Sequence, residues 1–130
     1  MTEDRDTFRR CIEFTRDFQS LTDASAVHGE RIYSQTAAID LHAFGGAIWL
    51  RGIRTFERGR GHASVALDWL CSLADKHGVV IRGEAKPYNT ALIDDVQLTA
   101  LDAAQLTTWY ERRGFEVNVV CMRREPRGKF

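Results

Sequence analysis

The chain lacks most of the features that announce a specialised class. Only two of its 130 residues are proline, and it has no internal repeat, low-complexity tract or linker, so it reads as one domain, 1–130. That length buries a real core but is too short for a dinucleotide-binding enzyme with a separate substrate domain. Three cysteines, Cys11, Cys71 and Cys121, are odd in number and have no close C-x-x-C partner. This excludes a disulfide frame and a cysteine zinc site, and all three read as small, reduced core residues. His28 and His77 have no metal-ligand spacing either, so no metal is expected.

Charge of one sign is also missing. Eighteen basic side chains balance eighteen acidic ones, so no global field recruits nucleic acid or a membrane. No run approaches about 18 apolar residues, and the N-terminal Met1–Arg5 is polar and acidic. Neither a signal peptide nor a membrane span is expected, which places the chain in the cytoplasm. The phosphate-loop pattern G-x-x-x-x-G-K-[ST] is absent too, excluding that class of nucleoside-triphosphate site.

What the chain does have is Arg58-Gly59-Arg60-Gly61-His62-Ala63, set between a strand-like and a helix-like stretch. Residues 47–56 are rich in β-branched and aromatic types and follow a Gly45-Gly46 turn, so they read as a strand. Residues 61–77 carry Ala66, Leu67, Trp69, Leu70, Leu73 and Ala74 at helical spacing. Lys76-His77-Gly78 closes that helix with cations at its negative end and Gly at the usual terminating position. A strand that stops at a Gly-rich bend and restarts as a helix aims several backbone N–H groups at one spot, where the helix dipole favours a phosphate.

The remaining pattern completes an α/β arrangement. Phe8, Cys11, Ile12, Phe14, Phe18 and Leu21 predict a helix over 4–21, and residues 30–43 predict one or two short strands. Residues 79–85 read as a strand, making strand, helix, strand with a right-handed crossover and parallel pairing. Residues 86–98, with Pro87, Asn89, Asp94 and Asp95, read as a long loop. Thr99 reads as the N-cap of a helix that buries Leu101, Leu106, Trp109 and Tyr110 and ends at Gly114; Phe115–Met122 reads as a final strand.

Two phosphate ligands fit the bend. Gly59-x-Gly61-x-x-Ser64 is a dinucleotide fingerprint without its third Gly, with Glu84 placed as a ribose acid. The second half of the chain favours the other ligand. Leu106-Thr107-Thr108-Trp109-Tyr110-Glu111-Arg112-Arg113-Gly114-Phe115 resembles the helix-to-strand signature of the GNAT superfamily of acetyl-CoA-dependent N-acetyltransferases. Arg58-x-x-Gly61-x-Ala63 is similar to that superfamily's pyrophosphate-binding motif. The resemblance spans residues 47–122 and points to small GNAT proteins of the kind common in bacteria and their phages.

The resemblance implies an α/β (by some schemes α+β) domain, with a mixed, mostly antiparallel sheet flanked by helices and one parallel pair opening a slot for acetyl-CoA. It implies that Ile53 and Thr55 offer backbone groups to the pantetheine arm. The N–H groups of Gly59, Arg60, Gly61, His62, Ala63 and Ser64 would hold the pyrophosphate, with Arg54, Arg58 and Arg60 adding charge. Tyr110 is the implied proton source for the departing thiolate. The strand 47–56 lacks the Glu or His that some relatives use as base, leaving His42, Asp40, Glu84 acting through water, or solvent alone. The implied acceptor is a primary amine on a small molecule or protein; a homodimer is compatible. Three readings stand at this point: an N-acetyltransferase, a non-catalytic CoA-binding module of the same fold, and a dinucleotide-binding protein. Transfer to charged tRNA is disfavoured by the neutral net charge, although Arg112, Arg113, Arg123, Arg124 and Arg127 are close in sequence.

Overall fold

A computed structural model of the chain describes residues 2–57, 59–84, 103–118 and 121–127. In order these form α1 (Thr2–Ser20), β1 (Asp23–Ala24), β2 (Glu30–Tyr33), β3 (Ala37–Phe44), β4 (Ala47–Thr55), α2 (His62–His77), β5 (Ile81–Glu84), α3 (Ala103–Glu111), β6 (Glu116–Asn118) and β7 (Cys121–Arg124). The seven strands make one sheet, ordered β1-β2-β3-β4-β5-β7-β6. Every pairing is antiparallel except β4 with β5. The fold is therefore mixed α and β with a mostly antiparallel sheet.

Local chemistry accounts for the main elements. Gly45 and Gly46 both have positive φ, 61° and 79°, and join β3 to β4 in a two-residue turn of the kind whose twist matches the flanking strands. Helix α2 ends where Gly78 turns left-handed at φ 68° and its N–H reaches the Ala74 and Asp75 carbonyls, as the sequence predicts. Residues 30–43 resolve into β2 and β3, and the strand expected at 79–85 spans Ile81–Glu84.

The core lies on one sheet face. Phe14 and Phe18 from α1, Leu67, Leu70 and Ala74 from α2, and Ile39, Ile48, Leu50 and Ile81 from the sheet are all buried there. Trp69 of α2 stacks on Tyr33 at 4.4 Å and leans on Phe18 at 5.9 Å. Helix α3 joins the same core through Leu106 and Tyr110. A buried ion pair ties the last strand to α2: Arg124 donates to both Asp75 carboxylate oxygens, at 2.8 and 3.1 Å, and to the Arg113 carbonyl at 2.7 Å.

Three expectations need correction. Residues 115–122 are not one strand; β6 and β7 are antiparallel neighbours, with Asn118 opposite Cys121. Cys121 is exposed rather than in the core, because β7 alternates and turns Met122 and Arg124 inward. Among the described residues of α1, Cys11, Phe14 and Phe18 are the buried ones, whereas Phe8 and Ile12, and Leu21 just past its end, are about half exposed. The helix presses a narrow stripe onto α2 and the sheet, so the wider apolar face in its sequence stays in solvent. The loop at 86–98 and the Thr99 cap lie outside the described residues.

Candidate functional site

The site is organised around the second half of β4 and the bend that follows it. Among the described residues, the pairing of β4 with β5 sets Ile48, Trp49 and Leu50 opposite Ile81, Arg82 and Gly83. At Gly83 the two backbones are so close that a Cβ there would lie 2.4 Å from the Leu50 carbonyl oxygen and 3.0 Å from Met122 Cε. Immediately beyond, Arg51 is the extra residue of a bulge against β3, since Asp40 faces Gly52 and Leu41 faces Leu50. A bulge bends its strand and increases the local twist. Among the described residues, the second half of β4 pairs with β3 and not with β5. Ile53 and Thr55 lie in this half; Ile53 packs against the core.

The bend after β4 is conformationally demanding. Gly59 and Gly61 both sit at φ 71°, and a Cβ at either would meet nothing within 4 Å. Backbone conformation, not crowding, therefore requires glycine at both positions. Gly61 is the N-cap of α2, with no side-chain cap and no acidic residue in the first turn. The first intrahelical bond comes from Val65 N–H to the Gly61 carbonyl at 3.1 Å. The amides of His62, Ala63 and Ser64 precede it and have no carbonyl within the helix. The bend thus supplies donors without intrahelical partners at the positive end of a 16-residue helix. Nearby, His62 Nδ1 is buried without a hydrogen-bond partner among the described residues.

Helix α3 lies against this end of α2. Trp109 Nε1 donates to Ser64 Oγ at 2.9 Å, and Arg113 Nε donates to Asp68 at 2.7 Å. Ser64 and Asp68 are one turn apart on α2, and Trp109 on α3 and Arg113 in the turn just past its end meet them as two rungs. Arg113 also covers the Trp109 ring at 5.0 Å and donates to its carbonyl at 2.8 Å. Tyr110 follows directly, edge-on to Trp109 at 4.9 Å and to Phe115 at 5.2 Å. It is 4% exposed. Burial, reinforced by the neighbouring Cys71, pushes its phenol up to about 12. Burial likewise raises the Cys71 thiol to about 11, leaving it protonated and unreactive at neutral pH.

The other expected residues are dispersed. Arg54 donates to both oxygens of Glu30, at 2.9 and 2.8 Å, and Glu30 is itself buried. Because Ile53 faces the core, Arg54 projects from the sheet face opposite α2. Arg60 lies 4.0 Å from Glu57, both largely exposed. Arg58 is outside the described residues. Asp40 sits on β3 with Arg51 at 3.7 Å, His42 is exposed opposite Trp49, and Glu84 is exposed opposite Cys121. The structure thus brings together the bend, Ser64 and the Trp109-Tyr110 pair, whereas the candidate bases lie elsewhere on the sheet, Asp40 and His42 on β3 and Glu84 on β5. Among the described residues, no group of three or more His, Cys, Asp or Glu is placed to hold a metal ion. No helix among them is long and apolar enough to cross a membrane.

Sequence reading missed the Glu30–Arg54 and Asp75–Arg124 pairs, whose partners are 24 and 49 residues apart and share no local pattern. It also missed the Ser64–Trp109 rung. The i,i+4 spacings Ser64/Asp68 and Trp109/Arg113 are visible in the chain, but nothing there says that those faces meet. No family model matches the chain, and neither the curated proteins nor the solved structures give a match.

Proposed function

We propose that the protein is an acetyl-CoA-dependent N-acetyltransferase of the GNAT type, moving an acetyl group directly to a primary amine of a small molecule or protein. The observation that carries this reading is the junction of β4 with α2. Strand β4, paired in parallel with β5 at Ile48–Leu50, runs into a bend of two left-handed glycines and an uncapped helix end, with Tyr110 one residue from the side chain that bonds that end. The dinucleotide reading is weaker, because such folds are built on parallel sheets and, among the described residues, one pairing is parallel and five are antiparallel.

In this reading the backbone of Ile53 and Thr55 pairs with the amide-bearing arm of the cofactor. The N–H groups from Gly59 to Ser64 take the pyrophosphate, and exposed Arg60 adds charge from solvent. Arg54 serves the sheet through Glu30, and its role in phosphate binding is not part of the proposal. The amine attacks the thioester carbonyl, the C–N bond forms, the C–S bond breaks, and the nitrogen loses its extra proton to solvent.

The raised phenol defines what Tyr110 contributes. Against a thiol of pKa about 8.5, a phenol at about 12 would give up its proton to the thiolate at a cost of roughly 5 kcal/mol. Tyr110 therefore acts as a hydrogen-bond donor to the departing sulfur, keeping its proton while it stabilises the developing charge. A panel of amines incubated with acetyl-CoA and followed by thiol release tests the proposal. Turnover with at least one amine class is expected; release no faster than in buffer across the panel, although CoA binds, would instead favour a non-catalytic CoA-binding module.

A further inference from the structure

The Ser64–Trp109 rung links the two ends of the proposed site, and its chemistry gives it a direction. Ser64 Oγ accepts from the indole N–H at 2.9 Å, so one lone pair is engaged and the hydroxyl proton remains available to donate. The hydroxyl stands in the first turn of α2, among amides with no intrahelical carbonyl. A hydroxyl that donates to an anion becomes a better acceptor for a second donor. An anion at the bend therefore strengthens the bond from Trp109.

Trp109 is held so that this change is transmitted. Its ring lies under Arg113, its carbonyl accepts from the same guanidinium, and its edge packs on Tyr110. The Arg113–Asp68 rung, one turn along α2 and just past the end of α3, is anchored on an exposed carboxylate and contributes little by itself. The Ser64 rung is thus the part of the α2–α3 contact that an occupant of the bend can alter.

We infer that Trp109 is a positioning residue, through which a pyrophosphate-bearing cofactor bound at the first turn of α2 tightens the packing of α3 around Tyr110. The inference rests on the acetyltransferase reading for the identity of the occupant, and adds that the two ends of the site are coupled through one hydrogen bond.

Tryptophan emission of the full chain titrated with CoA, with calorimetry alongside to measure binding, tests the coupling. The wild type is expected to bind CoA with a change in emission. Trp109→Phe keeps the ring contacts, binds CoA within about threefold and loses the change. Ser64→Ala still binds, within about tenfold, and also loses it; Ser64→Thr, which keeps the hydroxyl, restores it. An emission change that persists in Ser64→Ala or Trp109→Phe at saturating CoA overturns the coupling, as does a wild type that binds without any change. A wild type that binds no CoA in the calorimeter overturns the cofactor assignment itself, and the coupling falls with it.

Discussion

Replacing Gly83 by alanine tests how β4 and β5 meet. The added Cβ would stand 2.4 Å from the Leu50 carbonyl oxygen and 3.0 Å from Met122 Cε. The methionine tip is flexible and can move, but the carbonyl belongs to a strand whose neighbours Ile48 and Leu50 are fully buried. Relief must come from separating the two backbones at the last rung of their pairing. Forcing a methyl into a packed core costs typically about 1–3 kcal/mol, and a clash with backbone belongs at the upper end, about 2–3 kcal/mol. An unfolding entropy of about 2.1 cal/mol/K per residue gives roughly 0.27 kcal/mol/K for this chain, so Tm should fall by about 7–11 °C. Thermal melting followed by circular dichroism at 222 nm measures this. A Gly83→Ala variant melting within 2 °C of the wild type would refute the close approach of β4 and β5 at this position.

Three more outcomes follow from particular residues. Gly61→Ala puts an L side chain at φ 71° where nothing obstructs it, so only backbone strain of about 1–2 kcal/mol is expected; a Tm loss above 10 °C would mean that the bend is crowded after all. Burial raises Asp75, but hydrogen bonds from the Arg124 side chain and the Arg127 backbone outweigh it and hold the carboxyl below its ordinary value of 3.8. Its folded pKa is depressed, so its stabilising contribution is complete above the unfolded value and is lost as pH falls through the folded one. Urea midpoints should show Asp75→Asn clearly less stable than the wild type at pH 7, with the gap narrowing below about pH 4; a gap independent of pH would contradict this. Tyr110→Phe keeps the contacts with Trp109 and Phe115 and removes the donor, so kcat should fall about a hundredfold with acetyl-CoA affinity nearly unchanged. The wild-type rate should show no tyrosine limb below about pH 11; an unaltered kcat would remove Tyr110 from the chemistry.

Much of this architecture is legible in the chain because local chemistry decides it. The Gly45-Gly46 turn, the span of α2 and its Gly78 terminus depend on conformations that few residues adopt, so the sequence displays them. The left-handed bend at Gly59 and Gly61 is legible for the same reason. Periodicity overstates the core on α1, since it marks which residues would accept burial and not which ones find a surface: Phe8 and Ile12 share the pattern of Phe14 but meet no partner sheet. Long-range polar pairs are not legible at all. Glu30 with Arg54, and Ser64 with Trp109, are set by strand register and helix docking across 24 and 45 residues. The division of 115–122 between β6 and β7 is hidden because that stretch alternates weakly and carries no Gly or Pro signal.

The central claim is that the bend from Gly59 to Ser64 holds the pyrophosphate of CoA. Isothermal titration of the full chain with acetyl-CoA, and separately with NADH, tests it most directly. The account predicts one acetyl-CoA bound per chain near micromolar strength and no binding of NADH; NADH binding without acetyl-CoA binding, or neither ligand binding, would contradict it.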